Sequence, residues 1–394
     1  MVQSAASLQK GIWIASYPKS GNTWVRLFIH NLLREISGNA ADAQDINRAN
    51  RHTVWETNAA PYEQLLGRNP VECSLEEIAQ TRPQVQQLLA AARSGPFFIK
   101  THLAVANING YPTINFDMTL AAIYVIRNPL DVAISYAHYA GRKIDQIIEQ
   151  MAAPAAKSYG SEKFVYEFIG SWSTHVASWM SVSHRAVYVI RYEDMLRAPF
   201  KVFGDLAHFL RLAPSPDQLQ AAIDKSSFSE LSRQESEKGF VERPPTSEKF
   251  FRVGKANQWR DGLTKEHVSK VITAHAPMMQ RTGYPAPLRS TGLGGKGTTG
   301  TGPRAWSRRI ADSDFLAPRR SIERASSCLD SLHDCATYPI ATCRCSWMLR
   351  KVLSGMCIWT VIGIGSTAKL ISPQTIRARL SYFGPISGTT RLGT

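Results

Sequence analysis

GIWIASYPKSGNTWVRLFIHNLL, residues 11–33, is the part of this chain from which its architecture is most easily inferred. It begins with a short apolar run and closes with apolar residues at helical spacing, which predicts a buried strand followed by a helix. Pro18 ends the strand because proline has no N–H for a sheet. Gly21 then relaxes the backbone, and Asn22 or Thr23 is expected to cap the helix. A strand–turn–helix points free N–H groups and the positive end of the helix dipole at one spot, so the stretch predicts an anion site.

Three further apolar runs follow, and each is short enough to be a buried strand. They are Phe97–Lys100, Leu120–Ile126 and Val187–Ile190. Helices are predicted at Pro129–Ala140, Glu162–Val182, Pro199–Leu210 and Thr264–Gln280, and irregular structure at Ser37–Pro70. Apolar strands that alternate with helices indicate an α/β fold, in which a mostly parallel central sheet is flanked by helices. With the anion-binding turn, this predicts a P-loop-like nucleotide-binding core.

Polar side chains follow these strands at the edge where their carboxyl ends should meet. Because ligands bind at that edge of a parallel sheet, we expect the side chains to converge there. They are Lys19, Lys100, His102, Arg127 and Tyr192. Lys100 and His102 are two residues apart on a strand and so face the same way. Arg127 has a structural alternative, because Asp131 lies one helical turn away and can pair with it.

The charge and the cysteines divide the chain at about residue 284. The net charge is +15, from 46 Lys and Arg against 31 Asp and Glu, and residues 285–394 hold 15 of the basic and 5 of the acidic residues. Residues 1–284 are therefore only mildly basic, and no nucleic-acid partner is expected. We expect them to form one domain. The Arg-, Cys- and Gly/Thr-rich remainder, 285–394, is expected to be unstructured and without membrane contact.

Cysteine usage and the N-terminus bear on location. Cys73 stands alone in the first 284 residues, which gives no disulfide framework and is typical of a reducing compartment. The N-terminal residues, MVQSAASLQK, have no apolar core of signal-peptide length. A cytoplasmic location is therefore expected.

The order of residues in the turn separates this site from that of ATP-dependent P-loop enzymes. Those enzymes use a GxxxxGK[ST] run with Mg²⁺, whereas here the lysine precedes the glycine, as Lys19-Ser20-Gly21. No acidic residue closes an apolar strand near the turn, so no metal is expected. Two alternatives stay open: a metal-dependent nucleotide kinase, and a nucleotide-binding scaffold without turnover.

Five motifs resemble, in the same order, those of the cytosolic-type sulfotransferases. They are Tyr17–Trp24 (YPKSGNTW), Lys100–Leu103 (KTHL), Arg127–Tyr136 (RNPLDVAISY), Tyr192–Asp194 (YED) and Phe251–Gly254 (FRVG) with Trp259. The resemblance covers about Lys10–Tyr284. It implies in-line transfer of a sulfuryl group from 3′-phosphoadenylyl sulfate to a hydroxyl or amine of a small-molecule or carbohydrate acceptor.

The resemblance also implies roles for individual residues. Lys19 would neutralise the bridging oxygen as the S–O bond breaks, with help from Lys100, and His102 would be the general base. Ser135 would grip the 3′-phosphate near the reacting groups. The donor would be held by Ser20, Gly21, Asn22 and Thr23 at the 5′-phosphosulfate, by Arg127, Ser135, Arg252 and Gly254 at the 3′-phosphate, and by Trp24, Tyr192, Ser226 and Phe228 around the adenine.

Three positions depart from the family pattern. Asn22 replaces a common threonine, Ala104 replaces a proline, and Val253 replaces a lysine, which removes one 3′-phosphate contact. Val253 and Ala104 together motivate the scaffold alternative. The acceptor pocket is expected to be built from Ser37–Pro70, Gly141–Ser161 and Glu235–Phe250. Within the last of these, Val241–Thr246 would be a lid that excludes water.

Overall fold

The computed structural model describes residues 10–38, 45–93, 95, 97–182, 186–284, 361–363 and 368–370. Within these residues the central feature is a five-stranded sheet in which all pairs are parallel. Its strands are β1 (Gly11–Ser16), β2 (Thr53–Trp55), β3 (Phe97–Thr101), β6 (Thr119–Ile126) and β7 (Ala186–Arg191), in the order β2-β3-β1-β6-β7. A small antiparallel pair, β4 (Asn107–Ile108) and β5 (Tyr111–Pro112), lies between β3 and β6 in the chain.

Twelve α-helices occur in the described residues. They are α1 (Asn22–Ile36), α2 (Ala59–Leu66), α3 (Leu75–Ala91), α4 (Pro129–Ala140), α5 (Ile144–Ala152), α6 (Trp172–Met180), α7 (Tyr192–Arg197), α8 (Pro199–Phe209), α9 (Pro216–Lys225), α10 (Phe228–Lys238), α11 (Trp259–Gly262) and α12 (Lys265–Arg281). Short 3-10 helices lie at Ile46–Arg51, Pro70–Glu72 and Phe116–Met118.

Both faces of the sheet are covered, because every side chain of β1 is buried and successive residues point to opposite faces. Trp13 and Ala15 pack with apolar residues of α4, α5, α6 and α12. Ile12 and Ile14 pack with α1, α8 and α9 on the other face. The predicted fold class, a mostly parallel sheet flanked by helices, is confirmed.

Two local predictions are wrong. The helix predicted over Glu162–Val182 is confined to α6. The residues before α6 form backbone hydrogen bonds with other segments instead of helical ones: Val165 N–H donates to the Thr57 carbonyl, and the Glu167 carbonyl accepts from Ser158 N–H. Ser37–Pro70, predicted as irregular, contains the edge strand β2 and helix α2.

The residues at the C-terminal end are described only in part. In a second unit, Leu316–Thr394, β8 (Val361–Gly363) and β9 (Ala368–Leu370) pair antiparallel. Apart from these strands, the region predicted to be unstructured, 285–394, lies outside the described residues. Among the helices that the structure describes, none has the length and apolar character needed to cross a membrane.

Candidate active site

A cavity of about 520 Å³ opens at the carboxyl ends of the central strands. This volume is typical of sites for small molecules and cofactors. The structure brings together in its wall nearly all of the residues predicted from the sequence: Lys19, Gly21, Asn22, Thr23, Trp24, Lys100, His102, Arg127, Ser135, Tyr192, Ser226, Phe228, Arg252 and Gly254. Ser20, the remaining one, is fully buried in the turn beside them.

The turn between β1 and α1 has a conformation that only glycine adopts easily at its centre. Gly21 has φ 110°, and a Cβ there would lie 2.9 Å from the Tyr192 ring. Gly21 is also the N-cap of α1, so the prediction that Asn22 or Thr23 caps the helix is wrong. Asn22 instead donates from Nδ2 to the Ile14 carbonyl (2.8 Å) and so holds the turn to β1. The first N–H groups of α1 have no partner within the helix, and Asn22, Thr23 and Trp24, to which they belong, line the cavity.

Lys19 has an unusual backbone and an unusual environment. Its φ is 66°, in the left-handed region that residues other than glycine and asparagine rarely adopt. Its Nζ lies 4.0 Å from the centre of the Tyr139 ring and 4.1 Å from that of Phe250. Burial and, to a smaller extent, the nearby Arg127 charge lower the pKa of Lys19 to about 7, against the opposing effects of Glu242 and Glu235. The amine is therefore poised to change its charge near neutral pH.

Two buried polar atoms in this region have no hydrogen-bond partner in the protein: Ser20 Oγ and Arg127 Nε. The rest of the Arg127 guanidinium is held in place, since it donates to the carbonyls of Lys19 (3.1 Å) and Lys255 (3.3 Å) and stacks 4.1 Å from the centre of the Tyr192 ring. Orphaned donors in a fixed frame are what an anionic ligand would satisfy.

Asp131 does not pair with Arg127, so the structural alternative for Arg127 is not realised. Its carboxylate accepts the backbone N–H groups of Asn257 (2.7 Å) and Trp259 (3.0 Å). Helix α4 thereby holds the turn that follows Gly254.

The tautomer of His102 is fixed by a main-chain acceptor. His102 Nδ1 lies 2.8 Å from the Ser16 carbonyl oxygen, which accepts only, so Nδ1 carries the proton and Nε2 the lone pair. Burial lowers the pKa of His102 well below its usual value, and the Lys100 charge lowers it further. The ring is therefore neutral at neutral pH and has an unprotonated Nε2, and His102 lines the cavity.

The backbone of His102 is held on both sides. Its N–H donates to Glu167 Oε1 (2.8 Å), and its carbonyl accepts from His175 Nε2 (3.0 Å). His175 Nδ1 in turn accepts from the Tyr124 hydroxyl (2.9 Å). His175 thus holds His102 in place through the main chain.

Lys100 lies between an aromatic ring and a carboxylate. Its Nζ is 4.7 Å from the centre of the Trp55 ring and 3.8 Å from Glu167 Oε1. Burial lowers the pKa of Lys100, and Glu167 opposes that effect.

At the opposite end of the cavity, Gly254 lies directly against Phe228. Its φ is 65°, and a Cβ would be 2.1 Å from the Phe228 ring. Trp24 and Tyr192 meet edge to face, with ring centres 5.6 Å apart. Arg252 donates to Gln258 Oε1 (2.7 Å). The Ser226 hydroxyl is already used, because it donates to the Ala222 carbonyl (2.7 Å) and accepts from Asn31 Nδ2 (3.0 Å).

Sequence reasoning did not single out three charged residues of the cavity wall: Arg26, Glu167 and Glu242. One signal was available for Arg26, a charged residue within the otherwise apolar face of α1. The three segments expected to build the acceptor pocket do contribute to the wall, for example through Trp55, Tyr159 and Phe250. In the described part of the chain, no three His, Cys, Asp or Glu side chains are grouped so as to hold a metal ion.

Comparison with known proteins gives a consistent set of relatives. Residues 9–283 match the family described as the sulfotransferase domain. Mouse sulfotransferase 1E1 is 27% identical over 223 residues, which are 55% of this chain and 64% of the mouse protein. Dog sulfotransferase 1B1 is 26% identical over 279 residues, 69% of this chain and 84% of the dog protein.

Solved structures with a similar fold include a retinol dehydratase in complex with androsterone and the inactive cofactor PAP. It is 19% identical, with a TM-score of 0.49, and the alignment covers 72% of this chain and 83% of that chain.

Proposed function

Because the chain belongs to the sulfotransferase domain family, we propose that it transfers the sulfuryl group of 3′-phosphoadenylyl sulfate to a hydroxyl or amine of a small-molecule or carbohydrate acceptor. The family predicted from the five motifs is thus confirmed. The observation that best supports the reaction is the fixed tautomer of His102, which leaves Nε2 as a free base in the same cavity as Lys19 and the donor-binding turn.

The residues divide the reaction into an acceptor side and a leaving-group side. His102 Nε2 takes the proton of the acceptor hydroxyl as its oxygen forms a bond to sulfur. The bond between sulfur and the bridging oxygen breaks, and its electron pair leaves with adenosine 3′,5′-bisphosphate. Lys19, in its protonated form, stabilises the negative charge on that oxygen, and Lys100 adds positive charge nearby.

The donor fits the unsatisfied groups of the cavity. The Ser20 hydroxyl and the first N–H groups of α1 suit the 5′-phosphosulfate, since a helix N-terminus favours anions. Arg127 Nε, with Ser135, Arg252 and the N–H of Gly254, suits the 3′-phosphate. The rings of Trp24, Tyr192 and Phe228 offer apolar surface to the adenine.

Labelled-sulfate transfer from 3′-phosphoadenylyl sulfate to a panel of phenols, alcohols, sugars and amines tests the proposal. We expect His102→Ala to lower the rate by about 10²- to 10⁴-fold, as for loss of a general base, while adenosine 3′,5′-bisphosphate still binds. Lys19→Ala should lower the rate and weaken donor binding. His138→Ala, an exposed histidine on α4, is the control and should behave as wild type.

Turnover that survives both substitutions would contradict the mechanism, and failure of the wild type to bind adenosine 3′,5′-bisphosphate would contradict the choice of donor.

The scaffold alternative is motivated by Val253, which lines the cavity where the family often has a lysine. It differs in one measurable respect, since it predicts that adenosine 3′,5′-bisphosphate binds without transfer to any acceptor. Val253→Lys should tighten donor binding in either case, because it adds a positive charge beside the proposed 3′-phosphate site. The cytoplasmic location stays a prediction.

A further inference from the structure

Helix α1 carries a fully buried arginine beside the donor-binding turn. The Arg26 side chain is 0% exposed and its guanidinium makes a two-pronged ion pair with Glu242, Nη2 to Oε2 at 2.6 Å and Nη1 to Oε1 at 2.9 Å. The Glu242 side chain is only 8% exposed. Paired N–H donors on two carboxylate oxygens form the strongest common ion-pair geometry, and it fixes both partners in orientation.

Glu242 belongs to the cover segment, residues 239–254, which joins α10 to the turn before α11. At its far end this segment carries Arg252 and Gly254, the proposed ligands of the 3′-phosphate. The segment is held elsewhere by backbone bonds: Val241 N–H donates to Asn47 Oδ1, and the N–H groups of Phe250 and Phe251 donate to Glu235. Glu242 connects the segment directly to α1, through this ion pair and through a hydrogen bond from the Thr23 hydroxyl.

Arg26 also fixes side chains of the donor-binding turn. Its Nε donates to Asn22 Oδ1 (3.0 Å) and its Nη2 to Thr23 Oγ1 (3.0 Å). Because Arg26 donates to the Thr23 oxygen, the hydroxyl proton must point elsewhere, and it points to Glu242 Oε2 at 3.3 Å. This proton is the one that a phosphosulfate oxygen would accept when the donor is bound.

The charge of Glu242 also affects the pKa values of other residues that line the cavity. It opposes the burial that lowers the pKa values of Lys19 and Lys100, while Arg26 acts in the opposite direction on Lys100 and His102. The groups that face Lys19 from the neighbouring elements are Arg127, Glu235, Glu242 and the Tyr139 ring. Loss of one member of the pair thus alters both the geometry and the charge of the site.

Resting on the proposed function, we propose that Arg26 and Glu242 are a positioning pair. The buried ion pair orients the Thr23 hydroxyl at the 5′ end of the bound donor. It also holds the cover segment, which contacts the 3′ end of the donor, against α1. The pair acts through Thr23 and the cover segment and does not take part in the chemical step.

The test uses the full chain with the variants Glu242→Gln and Arg26→Gln, singly and together, and Glu248→Gln as a matched control. Glu248 is an exposed carboxylate on the same segment. The measurements are binding of adenosine 3′,5′-bisphosphate, kcat, the KM values for donor and acceptor, and thermal unfolding.

We expect each single variant to raise the donor KM by about tenfold, a size typical of coupling between residues in contact, with little change in the acceptor KM. The single variants should also unfold at lower temperature, because they leave an unpaired buried group. The double variant should regain thermal stability, since it leaves no buried charge. Its donor KM should stay raised, because the amides no longer fix Thr23.

A merely structural pair gives a different result, in which the stable double variant regains the wild-type donor KM, and that result would overturn the proposal. So would a double variant that fails to fold, or Glu242→Gln behaving as Glu248→Gln. The proposed function fails separately, if the wild type neither binds adenosine 3′,5′-bisphosphate nor transfers sulfate.

Discussion

Lys19 lies in an environment that disfavours the protonated, positively charged form of its amine. Its amine is buried between two aromatic rings, and its pKa is lowered to about 7. In the free protein the amine is therefore charged below about pH 7 and neutral above it. A bound phosphosulfate adds negative charge beside the amine, which favours the protonated form. Donor binding should accordingly take up a proton when the pH lies above 7.

We expect the affinity for adenosine 3′,5′-bisphosphate to fall as the pH rises from 7 to 9, by at most about tenfold per pH unit. His102 does not contribute to this change, because its lowered pKa keeps it neutral across the range. Isothermal titration calorimetry in buffers of different ionisation enthalpy measures both the affinity and the proton uptake.

Lys19→Met is the control for the pH effect. It should bind the nucleotide more weakly at pH 7 and lose most of the dependence on pH between 7 and 9. An unchanged slope in Lys19→Met would show that another group titrates.

At the scale of elements, the donor site depends on a close contact between the cover segment and α10. Gly254 has a left-handed backbone and touches the ring of Phe228, the first residue of α10. Asp131 on α4 holds the turn that follows, through two backbone N–H groups. The proposed 3′-phosphate site is thus assembled from three elements that approach one another too closely for any side chain at residue 254.

Gly254→Ala should weaken binding of adenosine 3′,5′-bisphosphate by tenfold or more. The added Cβ would stand 2.1 Å from the Phe228 ring, so the segment or the ring must move, and a left-handed alanine adds about 1 kcal/mol or more of strain. Gly239→Ala provides the comparison, because Gly239 has φ 70° but a Cβ there would meet nothing within 4 Å. Equal effects of the two substitutions on nucleotide binding would mean that backbone strain alone is responsible.

The parts of the site that lie within one element could be predicted from the sequence, whereas contacts between distant elements could not. The donor-binding turn was predictable because Lys19, Ser20 and Gly21 act within one local stretch. Parallel strands bring their carboxyl ends together by topology, so Lys100 and His102 could be placed there too. Arg26 and Glu242 are 216 residues apart, and no local pattern links them. The helix predicted over Glu162–Val182 failed for the same reason, because residues before Trp172 bond to the distant Thr57 region instead.

At the scale of the whole molecule, the described residues that line the cavity all lie between Pro18 and Gln258. The last described residue of the main unit, Tyr284, still contributes to it indirectly, since its hydroxyl donates to Glu193 Oε2 (2.6 Å), and Glu193 Oε1 accepts the N–H of Asn128. We therefore propose that residues 1–284 are the functional domain, with its boundary after Tyr284.

A chain truncated after Tyr284 should bind adenosine 3′,5′-bisphosphate and transfer sulfate as the full chain does. Truncation after Arg281 should lower the temperature of unfolding, because it removes the buried Tyr284 ring and its bond to Glu193. Kinetics and differential scanning calorimetry on both truncations check the boundary. Loss of transfer in the longer truncation would show that residues 285–394 contribute to function.

The left-handed backbone of Lys19 costs stability at a position where the proposed reaction needs a lysine. Asparagine accepts such a φ at lower cost than lysine, and above about pH 8 the neutral amine no longer gains from the two rings beside it. At pH 8.5 Lys19→Asn should therefore raise the melting temperature by a few degrees, the effect of about 1 kcal/mol in a domain of this size, while abolishing transfer. A laboratory selection for heat resistance alone should thus enrich chains that lack lysine at this position and have lost transfer, since lysine there serves the proposed reaction and not the stability of the fold.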